Sequence, residues 1–251
     1  MEKITLQGVH NTRDLGGTPV QGGKIRLGKL IRSSGLSRAT AADINVFTDV
    51  YHLQQVIDLR TQSEAKEAPD VKITGAEYTW IPLVDEKTLG ITHDEGSEED
   101  LLSLEKLPGL AEMYEMIATN PESEKWREIF GLLLKPRQGA VLWHCSEGKD
   151  RCGLVSAMVL YALGASMEDI EEDYLRTNEA AAPRAEAMYR MTLEKTGNTA
   201  IAEKVKKAFL AKKEYFDAAF AAIDRHYGNV ESFLEKVCGV DEKGRMRLRE
   251  M

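Results

Sequence analysis

Trp143-His144-Cys145-Ser146-Glu147-Gly148-Lys149-Asp150-Arg151-Cys152-Gly153 stands between two of the most apolar runs of the chain, and its reading decides the fold. Ahead of it, Ala140-Val141-Leu142-Trp143 has the character of a short strand buried on both faces. Behind it, Leu154 to Leu163 is apolar almost all round and too long for a strand, and Gly164 is placed as the residue past a helix C-terminus. Strand, tight loop and buried helix are expected in that order.

A loop at such a junction aims backbone N–H groups at one point, where the positive end of the helix dipole also acts, so it forms a cradle for an anion such as phosphate. Cys145 opens the loop, and a helix N-terminus with Lys149 and Arg151 nearby favours its nucleophilic thiolate form. Gly148 lets the backbone curl, and the planar fork of Arg151, six positions after the cysteine, can hold two oxygens of one phosphoryl group. The candidate ligand-binding residues are therefore Ser146, Glu147, Gly148, Lys149, Asp150 and Arg151. A buried structural thiol is the bland reading of Cys145, but Gly148 and Arg151 at fixed offsets have no packing rationale. His144, at the strand end, is expected to orient the loop.

His144-Cys145-x-x-Gly148-x-x-Arg151 resembles the signature of the cysteine-dependent phosphatases of the protein-tyrosine phosphatase superfamily. The fuller string, with adjacent Lys149 and Asp150, is similar to the atypical bacterial branch, whose members act on phosphotyrosine, other phosphoproteins and phosphoinositides. Asn11-Thr12-Arg13-Asp14-Leu15-Gly16-Gly17, Leu30-Ile31-Arg32-Ser33-Ser34-Gly35, Ile57-Asp58-Leu59-Arg60 and Asp173-Tyr174-Leu175-Arg176-Thr177-Asn178 extend the likeness over most of the chain. The resemblance implies attack by Cys145 on phosphorus, a clamp by Arg151, and no metal or organic cofactor. It also implies a helical lid over about 180–212. Cys152 departs from the usual hydroxyl residue after the loop arginine; it points back toward the nucleophile in this reading, where oxidation would join Cys145 and Cys152.

Protonation of the leaving oxygen calls for a carboxyl near the loop. Asp150, within it, competes with Asp85, which follows the run Glu77-Tyr78-Thr79-Trp80-Ile81-Pro82 but lacks a Trp-Pro-Asp context; Asp150 is preferred. Asp58, Arg60 and Glu64 are expected near the same end of the sheet as an ion-pair network that supports the loop, and Arg13 with Asp14 likewise. A loop-cysteine sulfurtransferase and a phosphate-binding pseudo-enzyme are the alternative readings.

The 251 residues are 43% hydrophobic, enough for one sizeable core, and a single domain over 1–251 is expected. A net charge of −8 argues against nucleic acid as a general partner, so anion binding must be local. The partner implied is a phosphorylated protein or phosphoinositide, and the sequence sets no oligomeric state. Three cysteines without metal spacing suit a reducing compartment, and with neither signal peptide nor membrane span evident the cytoplasm is expected.

Along the chain, Gly16-Gly17 and Gly22-Gly23 punctuate small antiparallel strands such as Lys24 to Leu27. Thr40-x-x-Asp43 starts a helix whose Ile44 and Phe47 face inward, before a strand from Gln55 to Leu59. Glu77 to Pro82 alternates like a half-buried strand, His93 to Asp100 is a solvated loop, and Asn120-Pro121 starts a helix carrying Trp126, Ile129 and Phe130. Met113, Tyr114 and Trp126 are expected to be core packing. After the loop only helices are expected, one capped by Ser166-x-x-Asp169 and another, Ala-rich, from Glu179 to Lys195. The fold class is thus α/β, a mainly parallel sheet flanked by helices, with an extra helical C-terminal region.

Overall fold

The computed structural model describes residues 1–85, 109–119 and 124–250. Its six-stranded sheet runs in the order β1 (Glu2–Lys3), β2 (Arg13–Asp14), β5 (Leu30–Ser33), β8 (Val141–His144), β6 (Gln55–Asp58) and β7 (Glu77–Trp80). The last four strands are parallel, while β1 and β2 join antiparallel at one edge. A separate hairpin pairs β3 (Pro19–Val20) with β4 (Gly23–Lys24); it is shorter than the expected run to Leu27, whose side chain is 59% exposed. β8 arrives from late in the chain and inserts between β5 and β6, and the crevice at the C-terminal end of such an insertion is where α/β sheets bind ligands.

Side-chain alternation divides β8 between two cores. Val141 and Trp143 join Ile57 on one face, and Leu142 joins Ile31 and Val56 on the other. Both faces are covered, which is why the strand reads as uninterrupted apolar sequence. The smaller core is capped by α1 (Ala41–Asn45), which continues into one π-helical turn over 46–50. Thr40 and Asp43 form the expected capping box; Phe47 is buried and Ile44 half-buried. α2 (Gln62–Glu67) starts with a second capping box, made by Thr61 and Glu64.

The larger core lies under α3 (Leu110–Thr119), α4 (Glu124–Leu133) and α5 (Asp150–Leu163), the helix of the opening stretch. Almost every residue of α5 is buried, and Gly164 ends it in a left-handed conformation, as the sequence requires. α6 (Met167–Thr196), α7 (Thr199–Ala208), α8 (Lys213–Tyr227), α9 (Val230–Lys236) and α10 (Glu242–Glu250) follow. Met113, Tyr114 and Trp126 are core residues as expected.

Two local expectations need correction. The capped helix and the Ala-rich segment are one helix of 30 residues that passes through Pro183 and stops only at Gly197. Proline removes one backbone donor, but the strong helix formers on either side carry the helix across the gap. β7 is an exposed edge strand rather than a half-buried one: Tyr78 and Trp80 are 50% and 42% exposed. Their polar tips nevertheless reach inward, Tyr78 donating to Asp58 and Trp80 Nε1 donating to the Arg60 carbonyl at 2.8 Å. The solvated loop at 93–100 and the helix start at Asn120-Pro121 lie outside the described residues. Among those described, no helix is long and apolar enough to cross a membrane.

Candidate active site

The segment from His144 to Arg151 leaves the C-terminal end of β8 and turns into α5. Its carbonyls are held away from the centre of the turn. The His144 carbonyl accepts from Leu59 N at 2.9 Å and that of Ser146 from Gly35 N at 3.1 Å. Asn11 Nδ2 donates to the carbonyls of Glu147 and Gly148 at 2.9 and 3.0 Å, and Arg32 donates a further bond to Gly148 at 2.8 Å. Because a trans peptide unit is planar, a carbonyl turned outward sets the next N–H inward. The amides after these carbonyls therefore converge toward the turn's interior, at the positive end of α5. Gly148 has φ +67°, and a Cβ there would lie 2.6 Å from the Ser33 carbonyl oxygen, so only glycine closes the turn.

Arg151 is buried and gripped from below by Glu64. Its two terminal nitrogens meet Glu64 Oε2 and Oε1 at 2.5 and 2.7 Å. Ser146 Oγ donates to the same Oε1 at 2.5 Å, and Thr61 N donates to Oε2 at 2.8 Å through the capping box of α2. Burial alone would raise the Glu64 carboxyl, but the Arg151 hydrogen bonds and charge outweigh it and hold it down to about 2. Arg151 is raised in return despite the opposing effect of burial. A guanidinium carries five N–H groups; Glu64 takes two and the Leu59 carbonyl accepts a third at 3.4 Å, which leaves two for a ligand.

Behind the loop lies a second ionic cluster. Arg60 holds both oxygens of Asp58, at 2.9 and 2.8 Å, and also reaches Asp70 at 3.0 Å. Asp70 in turn sits 2.9 Å from His144 Nε2, while His144 Nδ1 lies 3.4 Å from the Cys145 carbonyl. His144 thus lies between Asp70 and the first peptide of the loop. Asp58, Asp70 and His144 have ligand-type atoms within 4.8 Å of one another. Their cation is already Arg60, so the trio does not suit a metal ion.

The N-terminal segment and α6 complete the frame. Asp173 is fully buried and bonded by Arg13 Nε at 2.7 Å and by Arg32. Burial alone would raise the Asp173 carboxyl, but the two guanidiniums outweigh it and hold it below the usual carboxylate range. Arg13 also donates to Asn11 Oδ1 at 2.7 Å, which fixes the amide that holds the loop carbonyls. Asp14 has a different job from Arg13: it accepts from Gly16 N and Gly28 N at 2.8 and 2.5 Å and organises the turn chemistry of the N-terminal flap.

Asp150 opens α5 at the rim of the turn, where Tyr114 OH donates to it at 2.5 Å and Lys149 Nζ lies 3.3 Å away. Tyr174 OH bonds Tyr114 OH at 2.8 Å. Tyr114 is therefore both the core residue its helical spacing predicts and a polar contact to Asp150, which spacing alone does not reveal. Asp85 lies exposed on the segment after the edge strand β7, so Asp150 is the carboxyl contiguous with the turn. Lys149 donates to the Ala208 carbonyl at the end of α7 at 2.6 Å. Glu147 pairs with Arg184 of α6 and with His10 at 3.3 Å. Cys145 is 2% exposed at the base. Cys152 is fully buried beneath it; its thiol lies 3.5 Å from the Trp143 carbonyl and is pushed up to about 12 by burial. All three cysteines are free.

This geometry coincides with a match to the model of the tyrosine phosphatase family over residues 4–251. The chain belongs to that family. A curated relative from Mycobacterium tuberculosis, named a triple specificity protein phosphatase, is 29% identical over 97% of this chain and 96% of its own. A protein of Cupriavidus necator, provisionally named a tyrosine-protein phosphatase, is 28% identical over 95% of this chain and 85% of its own. The chain is accordingly a protein-tyrosine phosphatase-like enzyme with a phosphorylated substrate. Among the residues that frame the turn, Asn11, Arg32 and Asp173 lie in segments that carry the family likeness, whereas Asp70 carries no sequence signal that would single it out.

Proposed function

We propose that this phosphatase hydrolyses phosphomonoesters in two steps through a thiophosphoryl group on Cys145. The observation that carries the reading is the outward hydrogen bonding of the loop carbonyls, which leaves an amide cradle beside a guanidinium already locked by Glu64. In the first step the Cys145 thiolate attacks phosphorus, the P–O bond to the leaving group breaks, and Asp150 gives that oxygen its proton. In the second step water attacks phosphorus, Asp150 takes its proton, and the S–P bond breaks to release phosphate and the thiolate. Charge on the transferring group is met by the amides and Arg151, both fixed before substrate arrives, so little reorganisation is needed. The mechanism assigns no role to a metal.

The substrate class proposed is phosphotyrosine and other phosphoprotein groups, with phosphoinositides as a further class. The breadth named for the mycobacterial relative supports this reading, and Lys149, beside the clamp, supplies a charge for an additional phosphate. We further propose that the whole chain is one phosphatase domain in which 180–212 is a helical lid. The contacts of Arg184 with Glu147 and of Lys149 with the Ala208 carbonyl support that assignment.

The test is hydrolysis of p-nitrophenyl phosphate with divalent metals chelated. Wild type is expected to turn over and Cys145→Ser to lose activity at least a thousandfold while still binding orthovanadate. Activity that survives in Cys145→Ser, or that needs added divalent metal, contradicts the mechanism.

A further inference from the structure

A second cavity lies at the opposite end of the sheet. Its volume is about 190 Å³, and it is bounded by the hairpin β3–β4, the start of β5 and β8, α5 and the end of α10. Leu30 and Val141, paired in register at the N-terminal ends of their strands, line it. The cavity is therefore about 10 Å from His144 along β8, at roughly 3.3 Å per residue.

The lining has two chemical parts. Ile25, Leu133, Val159, Leu163 and Leu248 join Val141 as an apolar interior. Lys24, Arg26, Lys29, Lys135, Arg137 and Arg249 add six cations, and no carboxylate is among the described lining residues. The chain as a whole has 33 Lys and Arg against 41 Asp and Glu, so this wall runs opposite to the bulk charge.

Several of these cations spend hydrogen bonds on neutral oxygens. Lys29 Nζ donates to the Gln138 carbonyl at 2.5 Å and Arg249 Nε to the Leu163 carbonyl at 3.2 Å. Arg137 donates to Gln55 Oε1 at 2.9 Å and to the Leu132 carbonyl. Burial holds the Arg137 guanidinium below its ordinary value, although Glu77 acts in the opposite direction. Glu250 lies with Arg137 in the adjoining shallow cavity, outside this lining. Lys24 and Lys135 are exposed at the rim.

We propose that this cavity binds a single-chain anionic amphiphile of the long-chain acyl carboxylate class, with the hydrocarbon inside and the head group on the basic rim. An uncharged chain would leave the cations unused, and an inorganic anion would leave the apolar interior unused. The site is separate from the phosphatase centre and takes a ligand that carries no phosphate.

The experiment is calorimetric titration of the full chain, its active site saturated with orthovanadate, with linear alkyl carboxylates of increasing length below their critical micelle concentrations. Affinity is expected to rise about fourfold per added methylene and then level off as the cavity fills. An alkanol of equal length should bind at least tenfold more weakly, with the gap narrowing as salt rises. The double variant Lys24→Gln/Lys135→Gln should weaken the carboxylate and leave the alkanol unchanged. Leu248→Trp should abolish the length dependence while p-nitrophenyl phosphate turnover reports an intact fold. Affinity independent of chain length, equal binding of carboxylate and alkanol, or unaltered binding in Leu248→Trp overturns the proposal.

Discussion

At the scale of single residues, Asp150 combines two demands that few positions satisfy together. As the proposed acid, it has to reach the leaving oxygen and to be held in one orientation. Tyr114 OH supplies the orientation at 2.5 Å, and Lys149 Nζ pairs with the carboxylate at 3.3 Å. Asp150→Asn is expected to slow alkyl phosphates by about 10²–10⁴-fold, because their leaving groups need a proton. Aryl phosphates with acidic leaving groups should be slowed much less. Plotting rate against leaving-group pKa for Asp150→Asn and Asp85→Asn checks the assignment; a steeper dependence in Asp85→Asn alone would transfer the role. Cys152 requires a different expectation from the one its sequence position raises. A thiol pushed up to about 12 by burial is almost wholly protonated at neutral pH, and the thiolate is the species that attacks an oxidised partner. Its proximity to Cys145 in the chain therefore does not make it a fast resolving thiol.

At the scale of elements, the loop is positioned by segments far from it in sequence. α2 presents Glu64 from its first turn, so the capping box that starts a six-residue helix also anchors Arg151, 87 positions away. The pH dependence follows from the sign of the shift. Glu64 lies below its ordinary value of 4.5, so its stabilisation is fully present above about pH 4.5 and is lost as pH falls toward about 2. The difference corresponds to about 3 kcal/mol. Glu64→Gln is expected to lower stability at neutral pH by about 3–5 kcal/mol, since Arg151 is left buried without its partner. It should also flatten the loss between pH 4.5 and 2; denaturant unfolding across that range is the measurement, and parallel curves for both proteins would count against the link. The strand, loop and helix of the opening stretch are legible because apolar runs on both sides leave few alternatives. The Glu64 grip is less so, since it depends on β6 lying beside β8, an adjacency no local pattern encodes. Asp70 follows an Ala-Pro pair without a motif, and Tyr114 sits in a stripe whose spacing announces only packing. Pro183 lies inside one continuous helix that the flanking alanines sustain.

At the scale of the whole molecule, an acidic protein buries cations around one turn, Arg151 paired with Glu64 and Arg13 and Arg32 sharing Asp173. From the last third of the chain, Arg184 pairs with Glu147 and the Ala208 carbonyl accepts from Lys149. If Lys149 serves additional phosphates, Lys149→Ala should reduce turnover of a phosphoinositide about tenfold more than that of a phosphotyrosine peptide. Assay of both substrates with the same preparation decides this, and equal losses reject it. The central claim is the covalent step at Cys145, and rapid quenching of a single turnover followed by peptide mapping tests it most directly. One phosphoryl group per chain on the peptide containing Cys145, and none in Cys145→Ser, is the predicted result. Turnover without a phosphorylated enzyme, or with phosphate on another residue, would contradict it.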